Sequence, residues 1–293
     1  MIPAAGPHGG DGSAVARALG IDPEAVLDLS MTMNPFAPDV EVLAARYLSA
    51  LRRYPSTGEA TTLLATALGV DPQRVVLTNG GSEAIALVAS TLGGGVIAEP
   101  EFGLHPRAAD GPRWRSNPNN PSGILAASAD RADVWDEAFF PLASGRWTRG
   151  DEAAVVVGSL TKVFACPGLR LGYVIADDAA QITAHQPAWS VNGLALALLP
   201  ELLDRSDLAA WCTQITLQRD TLVAVLAKHD LVPEPSDAPW LLVRAPGLRE
   251  RLAPQGVIVR DCASFGLPAH VRIAVPDDRG IERLEEALSC VAH

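Results

Sequence analysis

AAVVVGSLTKVFACPGLRLGYVIAD, residues 153–177, places two apolar runs around a single lysine. AAVVVG (153–158) and LGYVIAD (171–177) are continuously apolar rather than alternating, which predicts strands covered on both faces. Lys162 stands where the first strand ends and a loop begins, among small, apolar and glycine residues, with Arg170 further on. The same texture extends outward. VVLTN (75–79) precedes the helical GSEAIALVASTLG, and GGVIAEP (94–100), RWRS (113–116) and ADVWDEAF (132–139) read as further strands. Strands alternating with helical patterns predict an α/β domain with a mostly parallel central sheet. Ligands gather beyond strand C-termini in such sheets; Gly81-Ser82, Phe102 to His105, Asn120, Asp136 and Lys162 fall there.

After Asn192 the pattern changes. A long helical stretch (about 206–229) leads to WLLVRA (240–245), GVIVRD (256–261), HVRIAV (270–275) and a closing amphipathic helix. Strands followed by a terminal helix predict a smaller α+β domain. The expected organisation is an N-terminal segment, 1–33, packing with the small domain, a large domain, 34–205, and the small C-terminal domain, 206–293.

The composition fits that plan. The chain has 293 residues, 48% hydrophobic and 19% charged, ordinary for a globular protein with a sizeable core. Its net charge of −11 argues against non-specific nucleic-acid binding or a basic membrane surface. An anionic ligand must therefore be held by local arginines and backbone N–H groups. Cys166, Cys212, Cys262 and Cys290 show no C-x-x-C spacing, and no signal peptide or long apolar span is evident. They read as reduced thiols in a cytoplasmic protein. The histidines are scattered, so no metal site is expected.

Several residues carry chemistry only in combination. A lysine in apolar surroundings loses hydration of its charged form and becomes a usable amine nucleophile; alone, Lys162 reads first as a snorkelling side chain. NGGSEAI (79–85) opens a helix with two glycines and a serine, a phosphate site or a plain turn. Ser159, Thr161 and Arg170 can complete a phosphate cup. Asp136 is either a cap or an anion that keeps a ring nitrogen protonated. SNPNNPSG (116–123) is a rigid turn that offers amide groups. Arg272 puts a cation where an apolar strand residue is expected, at a sheet edge or facing a buried carboxylate.

Taken together, in this order on an α/β frame, these residues resemble fold-type I enzymes dependent on pyridoxal 5′-phosphate (PLP), over nearly the whole chain. SLTKVFACPGLRLGY, NPNNPSG, DEAF and SFGLPAHVRIAV are similar to the class I/II aminotransferase branch that holds histidinol-phosphate aminotransferase and threonine-phosphate decarboxylase. HGGD (8–11), LDLSMTMNP (27–35), HQPAWSVNGLA (185–195) and VRDCASFGLP (259–268) lean towards the decarboxylase, an enzyme of cobalamin biosynthesis. Phe139, where aminotransferases of the branch commonly have tyrosine, leans the same way.

The resemblance implies roles. Lys162 captures the PLP aldehyde and shuttles protons, Asp136 pairs with the pyridine nitrogen, and Asn120 bonds the ring oxygen. Gly81, Ser82, Ser159, Thr161 and Arg170 hold the cofactor phosphate, joined by Tyr54 from across a homodimer interface. Phe102 or His105 stacks on the ring, with His105 favoured. Arg272 takes the substrate carboxylate; His8, Gly9, Gly10, Asn34 and Arg260 surround a substrate phosphate. The implied reaction is decarboxylation of L-threonine O-3-phosphate, or a close phosphorylated amino acid, to aminopropanol phosphate. The alternatives are an aminotransferase of the histidinol-phosphate type using 2-oxoglutarate and glutamate, and a non-catalytic PLP-binding protein. The chain is short for the family: residues 106–119 and 121–135 leave no room for the usual excursions, so a covering helix, and with it a strand, is expected to be missing or reduced. Thr32 stands where the family tends to have asparagine.

Overall fold

The computed structural model describes residues 2–152 and 154–291. Its strands are β1 (Leu27–Leu29), β2 (Val75–Thr78), β3 (Gly95–Val96), β4 (Arg113–Ser116) and β5 (Val134–Asp136). They continue with β6 (Val155–Gly158), β7 (Gly172–Ile175), β8 (Trp240–Arg244), β9 (Val257–Asp261) and β10 (His270–Ala274). Two sheets result, one ordered β2-β7-β6-β5-β4-β3 and the other β1-β9-β10-β8.

In the larger sheet β3, β4, β5 and β6 pair in parallel, and β7 runs antiparallel to both β6 and β2. All strands but β7 therefore point one way, the mostly parallel sheet that the continuous apolar runs imply. The faces are covered on both sides. Val76, Val134, Val157 and Val174 pack against Ala84, Ile85 and Val88 of the Gly81–Leu92 helix. On the opposite face Leu77, Val156 and Tyr173 pack against Leu64 of the Gly58–Leu68 helix and Leu198 and Leu202 of the Gly193–Asp204 helix. Successive residues of β6 face opposite cores, as strand pleating requires. A Cβ at Gly158 would overlap the buried Tyr173 ring, so β6 ends on glycine.

The smaller sheet is antiparallel except where β1 joins β9 in parallel. Its core combines Leu29, Val243, Val259 and Ile273 with Leu284 and Leu288 of the Asp278–Val291 helix. The Leu208–Lys228 helix serves both cores: Trp211 and Ile215 pack under the large sheet, Leu222 and Leu226 under the small one. Among the described residues no helix is long and apolar enough to cross a membrane.

The connections from β3 to β4 and from β4 to β5 contain no helix, so the shortening legible in the sequence is a pair of loop crossovers. Arg149 fills much of the gap. Its guanidinium lies 4.8 Å from the Trp135 ring centroid and donates to the carbonyls of Ala126, Ala127, Ser128 and Asp130. Its backbone N–H meets the Glu137 carboxylate at 3.1 Å. Removing this hub strands several carbonyls and uncovers an indole, so Arg149→Ala is expected to cost about 2–4 kcal/mol in urea unfolding. A loss below about 0.5 kcal/mol, ordinary for a surface change, would show that the loops hold themselves.

Candidate active site

A cleft of about 340 Å³ opens at the C-terminal ends of β4, β5 and β6 and the start of the Gly81–Leu92 helix. β9, β10 and the N-terminal segment close it from the other side through Arg260, Arg272, His8 and Gly9.

Lys162 reaches the cleft because β6 turns at Ser159 into a one-turn helix, Leu160–Val163. Two clamps fix that turn. The Thr161 hydroxyl donates to Leu171 O and accepts from Leu171 N, both at 3.1 Å. Asn34 donates from its backbone to Lys162 O (3.1 Å) and from Nδ2 to Val163 O (2.9 Å). The half-buried Lys162 ammonium is pulled down to about 8, first by burial, then by the fields of Arg272 and Arg170, against the opposing pull of Asp136. Nζ lies 5.7 Å from the Phe139 ring centroid.

The helix start forms an anion cradle. Gly80 has φ 81°, a left-handed value, and no side chain caps the helix. The Arg170 guanidinium occupies the space a side chain at Gly80 would need, with Nη2 2.5 Å from the position of a Cβ. Gly81, Ser82, Ser159 and Arg170 border the same cleft at the helix start, where N–H groups, the helix dipole and a guanidinium favour a phosphate.

Asp136 ends β5, with Oδ1 accepting from Ala138 N at 3.0 Å and Oδ2 2.9 Å from His105 Nε2. A carboxylate only accepts, so Nε2 carries the proton. His105 is 3% exposed, packs beside Trp114 (5.5 Å between centroids) and does not line the cleft. The preference for His105 as the stacking residue is therefore corrected: its polar ring needs partners in the interior, and Phe102, half-buried and edge-on to it, faces the cleft.

Asn120 and Arg272 meet, Nη1 donating to Oδ1 at 2.6 Å, and the guanidinium lies 4.8 Å from the Trp240 ring centroid. Trp240 Nε1 holds Pro121 O at 2.8 Å and so fixes the Asn120 loop. Arg272 is 7% exposed; burial first, then Arg260, draws it down to about 10, against the opposing pull of Cys262. Arg260 sits opposite Arg272 in register and donates to Gly6 O (3.1 Å) and Ser264 Oγ (2.9 Å). His8 lies at the cleft mouth, 5.8 Å from the Phe102 ring; burial and then Arg260 lower its pKa.

Three expectations change with this geometry, those for Asn34, Thr161 and Gly10. Asn34 is buried and both ends of its amide are used within the chain, so it braces the lysine turn instead of meeting substrate. Thr161 borders the cleft, but its hydroxyl is spent on Leu171. Gly10 lies behind the cleft, its N–H on Ser30 Oγ at 2.8 Å. Tyr54 is 80% exposed, stands against Trp189 (4.7 Å) and is outside the cleft of its own chain. Sequence reading overlooked Glu101, 3% exposed and 3.6 Å from His105; the second of two carboxylates inside EPEFGLHP was its only sign.

The donor set fits PLP: a depressed amine, a phosphate cradle, a carboxylate, an amide and an aromatic face border one cleft. The sequence profile of the family described as "Aminotransferase class I and II" matches residues 114–288. Threonine-phosphate decarboxylase of Salmonella typhimurium is 31% identical, over 96% of this chain and 95% of its own. Histidinol-phosphate aminotransferase 1 of Dechloromonas aromatica is 26% identical, over 94% and 93%. The solved histidinol-phosphate aminotransferase of Sinorhizobium meliloti, in complex with pyridoxal-5′-phosphate, superposes with a TM-score of 0.78 over 100% of this chain and 95% of its own, at 18% identity. With a profile matched over more than half its length and a relative aligned over nearly all of it, the chain belongs to the class I and II aminotransferase family.

Proposed function

We propose that this chain is a carboxy-lyase that decarboxylates L-threonine O-3-phosphate, or a close phosphorylated amino acid, to aminopropanol phosphate. Its cofactor is PLP, which when bound supplies an electron sink for the pair released at the substrate α-carbon. Gly81, Ser82, Ser159 and Arg170 hold the cofactor phosphate. Asp136 would accept from the pyridine nitrogen, Asn120 would bond the ring oxygen and Phe102 would cover the ring. Lys162 would supply the amine for the cofactor aldehyde and would carry the proton to or from the substrate α-carbon. Tyr54 serves the partner cleft of a homodimer, a reading supported by the exposed Leu48, Leu51, Tyr54 and Trp189 around it.

One observation carries the substrate class. Arg272 and Arg260 are both nearly buried, side by side on β10 and β9, and border one cleft. Two adjacent desolvated guanidiniums ask for a ligand with two anionic groups, here a carboxylate at Arg272 and a phosphate at Arg260 with His8 and Gly9. Phe139 leaves no hydroxyl above Lys162, which favours the lyase. The second reading, an aminotransferase of the histidinol-phosphate type, is favoured by the Dechloromonas relative.

Purified protein with PLP and L-threonine O-3-phosphate is expected to release carbon dioxide with no keto acid present, and to scatter light as a dimer. Glutamate formation from histidinol phosphate and 2-oxoglutarate, without carbon dioxide, would replace this reading with the second. A monomer that binds PLP tightly would remove Tyr54 from the site.

A further inference from the structure

The segment ahead of the Gly12–Leu19 helix, IPAAGPHGGD (2–11), holds no helix or strand. Ordering a glycine-rich stretch is costly in conformational entropy, and no ladder of backbone bonds offsets that here. Two arginines from the β8–β10 part of the chain hold it instead. Arg249, in the Leu248–Leu252 helix and 1% exposed, donates to Pro3 O at 3.0 Å and pairs with the Asp11 carboxylate. Arg260, on β9, donates to Gly6 O at 3.1 Å and to Pro7 O. Residues 3–11 are thus an arch with both feet on one guanidinium and its crown on another.

The returning limb lies against the end of β1. Gly10 N donates to Ser30 Oγ at 2.8 Å and Gly12 N to Asp28 Oδ2 at 3.0 Å, and a Cβ at Gly9 would overlap Ser30 O. Ile2 packs with Val15, Ala253 and Ile258. One side chain of the arch is turned elsewhere: His8 borders the cleft with Gly9, its ring 5.8 Å from that of Phe102. Arg249 does not border the cleft. Its acceptors are Pro3 O and Asp11, both on the arch, with the exposed Glu250 carboxylate 3.5 Å away. A buried guanidinium is costly to desolvate, and an apolar side chain would serve the surrounding core at less cost. The partners of Arg249 therefore indicate its use.

We propose that Arg249 is a positioning residue for substrate choice: by pinning both feet of the arch it keeps His8 at the cleft mouth beside Arg260, where the anionic end of a substrate is met. The reason is geometric. A chain held at its crown alone can swing about that point, whereas one held at both feet as well cannot. His8 follows the crown residue Pro7 directly and so keeps one place. Donors already in place bind an anion better, because ordering them on binding subtracts from affinity. Three acceptors, Gly6 O, Pro7 O and Ser264 Oγ, engage the Arg260 fork without exhausting its five N–H groups. The inference rests on the reading of His8 and Arg260 as partners of a substrate phosphate.

Hydrogen exchange at the Gly10 amide and steady-state kinetics, both on the PLP-loaded protein, test this together. Arg249→Met is expected to speed Gly10 exchange about tenfold or more and to raise KM for L-threonine O-3-phosphate about tenfold. Its kcat, the absorbance of bound PLP and the affinity for L-threonine read from that absorbance should stay within about twofold of wild type. Arg249→Lys, which can reach Asp11 but lacks the fork, should recover part of each change. In a His8→Ala background Arg249→Met should raise KM by less than about twofold, because the residue it acts through is gone. If Arg249→Met does not fold, Asp11→Asn loosens the same foot and should move both readouts in the same direction by less. Unchanged Gly10 exchange overturns the proposal, as does an unchanged KM in Arg249→Met or a loss that persists in full in His8→Ala. A wild type that binds L-threonine and its phosphate alike fails the substrate reading instead, and Gly10 exchange still decides whether Arg249 pins the arch.

Discussion

Lys162→Ala is expected to lose the borohydride-sensitive absorbance of bound PLP and to lower activity by about 10⁴-fold or more. With its ammonium drawn down to about 8, roughly a quarter of Lys162 is free amine at pH 7.5, against about one in a thousand for an ordinary lysine. The fold bears the cost of that preparation. The folded-state value lies below the ordinary 10.5, so below pH 8 the folded chain holds a charge it disfavours and the whole penalty is present. As pH rises from about 8 towards 10.5, the folded state is neutral while the unfolded state is still protonated, and stability recovers. Lys162→Met apoprotein should therefore be more stable than wild type at pH 7 by about 2–3 kcal/mol, with the gap closing near pH 10.5. Urea unfolding at the two pH values reads this. A gap that is absent at pH 7, or that persists unchanged at pH 10.5, would mean that Lys162 is not held desolvated.

Arg272→Leu is expected to leave apoprotein stability within about 1 kcal/mol of wild type while raising KM and lowering kcat/KM by about 10²–10³-fold. The two effects separate because, among the described residues, the buried guanidinium has only the Asn120 oxygen and the Trp240 face as partners. Replacing it with leucine removes a desolvation cost and leaves one amide oxygen unmet, contributions of similar size and opposite sign. A substrate carboxylate loses a charge-assisted pair with no replacement. Arg272→Lys should recover only part of the loss, since an ammonium cannot reproduce the planar fork. A variant that unfolds early but keeps its KM would place Arg272 in the core and not in the site.

Much of the fold was legible because strands covered on both faces are continuous apolar runs: VVLT, VVVG and GYVI need no tertiary information to be read as strands. Strand direction was not. β7 carries the same kind of residues as β6 and differs only in running antiparallel, which pairing partners decide. The short spacing between His105, Asn120 and Asp136 announced one missing covering helix, but neither that both connections would lack a helix nor that Arg149 would pack on Trp135 there, since that contact joins separate segments of chain. In the cleft, residues whose chemistry needs unusual surroundings stood out, as Lys162 did. Those with ordinary polar side chains did not reveal where those side chains would be spent. Asn34 bonds Val163 and Glu101 bonds Ser116, partners far along the chain.

The cofactor class was implied by the resemblance of the motifs to a known family; what the amino-acid order determined by itself is the α/β frame and the placement of Lys162 just after one strand, Asp136 at the end of another and Arg272 within a third. Those follow from local hydropathy, from turn residues and from side chains too costly to bury without purpose. Only the tertiary structure decided that Phe102 faces the cleft while His105 stands behind Asp136, that Asn34 and Thr161 brace the lysine turn, and that Glu101 is buried against His105. A side chain's hydrogen-bond partners are set by which segments the packed cores bring within about 3 Å, and that is a property of the whole chain rather than of any stretch within it.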